Sequence, residues 1–161
     1  MPQPFLLVTA AALCLTLAGF PPAQKESSKM IRAAGTFDVK LAPQALADSQ
    51  ADPLLGRLSI DKQFHGDLEG TSRGEMLSAR TATENSAGYV AIERVTGTLG
   101  GKKGSFVLQH SGTMTRGTQQ LVITVVPDSG TGDLTGLAGT MTIRIEGKKH
   151  FYELMYSIGS P

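Results

Sequence analysis

Between Pro127 and Arg144 the chain reads PDSGTGDLTGLAGTMTIR, with Gly130, Gly132, Gly136 and Gly139 set between two β-rich runs. Glycine reaches backbone conformations that other residues avoid, so this punctuation suits turns, bulges and sharp bends between paired strands. The run before it, Leu121 to Val126, is β-branched at five of six positions, and the run after it, Thr140 to Ile145, alternates polar and apolar. That is a hairpin signature inside an antiparallel sheet. The pattern recurs: glycine precedes threonine at positions 35, 70, 97, 112, 117, 130 and 139, as expected where many short strands turn often.

Strand-like segments separated by turn residues fill the chain from Gly35 onward. The expected strands are Thr36–Leu41, Leu58–Phe64, Leu68–Leu77, Tyr89–Leu99, Ser105–Thr115, Gln120–Val126, Thr140–Glu146 and His150–Ile158. Pro43 to Pro53 reads as a surface loop, and no stretch after residue 34 holds helical spacing. Eight successive strands with short links predict an all-β, closed, eight-stranded antiparallel up-and-down barrel, because closure removes unpaired edges. A two-sheet sandwich is the competing architecture.

The N-terminus belongs to another category. Phe5 to Phe20 carries no charge and is followed by Pro21-Pro22-Ala23, the pattern of an apolar signal helix with small residues near a cleavage point. Thr16 and Ala18 fit cleavage before Gly19, and cleavage after Ala23 is the alternative. No Lys or Arg precedes the run, which is atypical, and the run falls short of the roughly 20 residues a bilayer core requires. The expected organisation is a signal peptide at 1–23, a flexible leader at 24–34 and a barrel at 35–158. A periplasmic or secreted address follows, with no stable membrane span after cleavage. An uncleaved anchor and a mis-assigned start are the other readings. The only cysteine, Cys14, lies in the apolar run, so no disulfide, thiol chemistry or cysteine-ligated metal is expected in the mature part.

Three longer segments carry a resemblance: DKQFHGDLEGTSRGEML, GYVAIERVTGTLGGKKGSFVLQHSGTM and VVPDSGTGDLTGLAGTMTI. In that order they resemble the bacterial domain-of-unknown-function family numbered 3224. That family is similar in fold to allene oxide cyclase barrels, and the glycine segment is similar to the GTG-then-G pattern of those cyclases and of dirigent proteins. The resemblance implies an eight-stranded closed barrel and assigns no activity.

Composition narrows the function classes. With 15 basic and 14 acidic residues the formal charge is +1, so no global field favours nucleic acid, and two lysine pairs at loop tips do not alter that. Aromatics make up 6% and tryptophan is absent, which removes a stacking platform. His65, His110 and His150 fall on separate strands without ligand spacing, so neither metal nor cofactor is expected. Ser129 lacks the frame of a nucleophile elbow, and the glycines lack the context of a phosphate loop.

Period-two alternation then selects candidate cavity groups. Lys62 shares a face with Leu58, Ile60 and Phe64. Its alternative role is a rim lysine with a packed stem. Glu93 shares a face with Tyr89, Ala91 and Val95, and reads either as an acid/base group or as one half of a cross-strand ion pair. Gln109 and His110 are neighbours and must point to opposite faces; His110 lies with Phe106, Leu108 and Met114, as a proton donor or a core histidine. Glu75, beside Arg73 and Leu77, and Tyr152, beside Leu154 and Tyr156, complete the set.

Three functions fit these residues. The first is an exported barrel holding a small lipophilic molecule in its lumen. The second is a cyclase or isomerase on a lipophilic substrate, with Glu93, Tyr89 or His110 moving a proton. The third is a structural homo-oligomer, since Leu121 to Val126 is apolar on both faces.

Overall fold

The structure, a computed structural model, describes residues 29–47 and 52–159. The expected signal peptide, and the leader up to residue 28, lie outside the described residues. Eight strands follow one another: β1 (Ile31–Gln44), β2 (Leu55–Gly66), β3 (Leu68–Arg80), β4 (Ala87–Leu99), β5 (Lys102–Thr115), β6 (Thr118–Val125), β7 (Leu137–Glu146) and β8 (Lys149–Ile158). Each pairs antiparallel with its sequence neighbour, and β1 pairs with β8, so the sheet is a closed barrel.

The strands run longer than the hydrophobic pattern shows. β1 starts at Ile31, where the leader was expected, because residues 31–37 pair with β8 from Tyr156 back to His150 and close the ring. It also continues through Pro43, whose ring has no N–H to offer a ladder, to Gln44. β3 continues past Leu77 to Arg80, in register with β4 from Ala87.

Alternation fixes what faces in. On β4, Glu93 and Val95 are 0% exposed while Val90 and Ile92 are 55% and 51% exposed. One end of the barrel is packed solid by Phe64, Leu68, Leu99, Phe106, Leu134, Leu137 and Leu154. Tyr152 stands among them, its hydroxyl accepting a bond from the Leu68 amide at 2.8 Å.

The glycine-rich segment joins two antiparallel strands, as its hairpin signature predicts, but by a long path. After β6 the chain runs on beside β5, with Val126 N–H bonded to Val107 O and Thr131 N–H to Ser105 O. It then forms a 3-10 turn, Gly132–Leu134, that drives Leu134 into the packed end. β6 and β7 pair at only Ile123↔Met141 and Thr124↔Thr140. Every other neighbouring pair in the ring is held along at least seven positions.

Candidate functional site

The opposite end is hollow. A cavity of about 530 Å³ occupies it, walled by apolar side chains that include Val39, Leu41, Leu58, Ile60, Met76 and Ile143. Phe37, Lys62, Ala91 and His110 are the deepest lining positions on their strands, and together they make the floor. Immediately below lie Glu93 and Ser72, both shut off from solvent.

These polar groups form a diagonal row across β2 to β5. Lys62 is registered against Ser72, Gly74 against Glu93, and Ala91 against His110. Cross-strand diagonals of this kind are within reach of long side chains. Lys62 Nζ donates to Glu93 Oε1 at 2.6 Å, Ser72 Oγ donates to Oε2 at 2.5 Å, and His110 Nε2 lies 2.9 Å from Oε1. The ammonium also sits 5.0 Å from the Phe37 ring centroid and 5.8 Å from that of Phe64, so two aromatic faces share its charge.

Two glycines make room for this row. A Cβ at Gly74 would lie 2.6 Å from both Cα and Cβ of Glu93, so only glycine lets β4 bring the carboxylate in. A Cβ at Gly112 would collide with the ring of Tyr89, its cross-strand partner at the cavity wall.

Burial by itself would raise the Glu93 carboxyl. The bonds from His110, Lys62 and Ser72, with the Lys62 charge, overcome that and hold it down at about 2. A carboxylate lower in the folded than in the unfolded chain stabilises the fold above its unfolded value and loses that effect as pH falls. The window runs from about 4.5 down to about 2, and roughly 3 kcal/mol should disappear across it. Urea midpoints measured against pH check this: Glu93→Gln should flatten the acid limb, and an unchanged limb would contradict the assignment. Burial, followed by the Glu93 charge, also pushes the Tyr89 phenol up.

Of the residues singled out by sequence, Lys62, Glu93 and His110 come together, and Tyr89 lines the cavity above them. Tyr152 faces inward but belongs to the packed end, its ring edge-on to Phe64 at 5.5 Å. Its phenol is pushed up by burial, against the opposing pull of the Leu68 hydrogen bond.

Glu75 and Gln109 do not line the lumen; both border a groove on the outer face of the barrel. Glu75 stands on the outer face between the inward Gly74 and Met76, and Arg57 grips it at 2.6 and 2.9 Å, holding its carboxyl low. Gln109 is exposed on the outside, since its neighbour His110 takes the inward position. Sequence reasoning passed over Ser72, although it shares a face with Leu68 and Met76. Small inward residues on β3 hid that strand's parity. Among the described residues, no three of His, Cys, Asp and Glu group as metal ligands.

A closed eight-stranded barrel with an apolar end cavity, floored by a lysine and a histidine over a buried glutamate, is the architectural class. The sequence profile of the family described as protein of unknown function (DUF3224) matches residues 33–156, and the chain belongs to that family. A crystal structure of a protein with unknown function from the same family, from Shewanella oneidensis MR-1, is 52% identical. It superposes with a TM-score of 0.77, over 83% of this chain and 100% of that one. No curated protein matches the chain.

Proposed function

We propose that this protein is an exported binding protein that holds a small lipophilic molecule in the open half of its barrel. The observation that carries the reading is the cavity of about 530 Å³, apolar on its walls and polar only at its floor and rim. Such volumes and linings are those of small-molecule sites, where a few polar groups fix orientation. The uncharged Phe5–Phe20 run supports the exported part, with a periplasmic or secreted address.

The test fills the cavity from its own wall. Leu58 is half-buried and lines the open volume, so Leu58→Trp has space to occupy. The variant should keep the wild-type circular dichroism and weaken binding of an anilinonaphthalene fluorophore by about tenfold or more. Equal affinity in the two proteins would place the dye elsewhere and remove the reading.

A second reading, an isomerase or cyclase on a lipophilic substrate, draws on the Glu93–His110 hydrogen bond. A carboxylate that orients an imidazole beside an apolar cavity is the arrangement of a general base.

A further inference from the structure

Glu93 spends both carboxylate oxygens within the cluster, but its partners are not exhausted. Lys62 carries three N–H donors, of which one is used by Glu93. The described bond of His110 is made through Nε2. An ionised carboxylate only accepts, so Nε2 carries a proton; in the single-proton form of the ring Nδ1 then presents a lone pair. Among the described residues no fully buried side-chain nitrogen or oxygen lacks a partner. Nδ1 is therefore not sealed off, and His110 lines the lumen cavity. The floor thus offers a ligand one cationic donor and one neutral acceptor.

We infer that the lumen selects amphiphiles ending in a single carboxylic acid, and that each one bound leaves a proton on His110 Nδ1. The inference rests on the lumen-binding reading and specifies its ligand class. A carboxylic acid complements the floor: its carbonyl oxygen accepts from Lys62 while its O–H donates to Nδ1. Charge decides the rest. Lys62 and Glu93 cancel, so an anion brought in alone would leave a net negative charge in an apolar enclosure. When the ligand O–H bond breaks, its electron pair stays on the carboxylate oxygen and the proton forms Nδ1–H. The floor then holds two cations and two anions. Because the free acid is already ionised at neutral pH, the proton comes from solvent and binding appears as proton uptake. An alkylamine would meet Lys62 with like charge, and a doubly charged phosphate would leave an excess.

Other charged or titratable groups surround this point. β2 contributes Lys62, and β4 contributes Glu93 and Tyr89. β3 supplies Ser72 below and Arg80 at the rim. β8 supplies His150, whose ring lies 5.0 Å from that of Phe37. The lining residues from β1, β6 and β7 carry no charge.

Calorimetric titration with decanoic acid, 1-decanol and decylamine, in two buffers of different ionisation enthalpy, tests the inference. The acid should bind at least about tenfold more tightly than the alcohol, and should take up close to one proton. Its Kd should rise about tenfold between about pH 7.5 and about 8.5, as one linked proton requires. His110→Gln, which can still donate to Glu93, should abolish the uptake and flatten the pH slope. Binding of the acid without proton uptake, or uptake that persists in His110→Gln, overturns the inference. Binding of the alcohol at equal or higher affinity overturns the ligand class and leaves the lumen reading standing. Failure of all three probes to bind overturns both.

Discussion

Replacing Glu93 by alanine should destabilise the barrel by about 3–5 kcal/mol, the range for breaking a buried ion pair from one side. The substitution strands Lys62, which is 6% exposed and has its only counter-ion among the described residues at 2.6 Å. It also removes the acceptor from Ser72 and His110, so three buried groups lose a partner at once. Urea unfolding should show a lower midpoint with an unchanged slope. The double variant Lys62→Met with Glu93→Leu should recover much of the loss, because well-packed apolar groups can replace a buried pair at little cost. If Glu93→Ala lies within about 1 kcal/mol of wild type, the cluster is far wetter than its geometry indicates.

Phe64→Ala should cost a similar amount, about 3–5 kcal/mol, by another route. Phe64 is 0% exposed, with ring centroids of Phe37 and Tyr152 each 5.5 Å away. It is the layer on which the polar floor rests, so its removal opens a void that neighbours on a closed sheet cannot collapse to fill. The two variants separate by pH. The Phe64 loss should stay constant as acid is added, whereas the Glu93 loss should shrink as the wild-type carboxylate itself becomes protonated. Thermal or urea unfolding at neutral and acid pH measures both.

Much of this molecule was legible before any coordinates. Glycine-bounded, β-branched runs dictate eight consecutive antiparallel strands, and closure follows from the need to bury edges. Period-two spacing placed Lys62, Glu93 and His110 each among apolar neighbours, which is where they stand. What the sequence withheld was parity on β3. Its inward positions, Gly70, Ser72, Gly74 and Met76, are mostly small, and at Gly70 and Gly74 the β4 backbone comes so close that an added Cβ would collide with the Thr96 and Ile92 carbonyl oxygens. The face carrying Glu75 therefore looked as plausible as the true one.

Convergence was equally hidden. Glu93 meets Lys62 from 31 residues away and His110 from 17, through register that no local pattern encodes. The path of the glycine-rich link was hidden as well. Its turn residues are real, but they serve a detour beside β5 and a plug of one end, not a hairpin tip.

The short β6–β7 joint has a mechanical result. With β6 and β7 joined at two positions only, the ring resembles a hoop with one loose stave beside the hollow half. Leu121, Ile143 and Ile145 border both the joint and the chamber. Widening there sacrifices a couple of rungs, while widening anywhere else would unzip a whole ladder. The wall of the chamber is thus least tied at the β6–β7 joint.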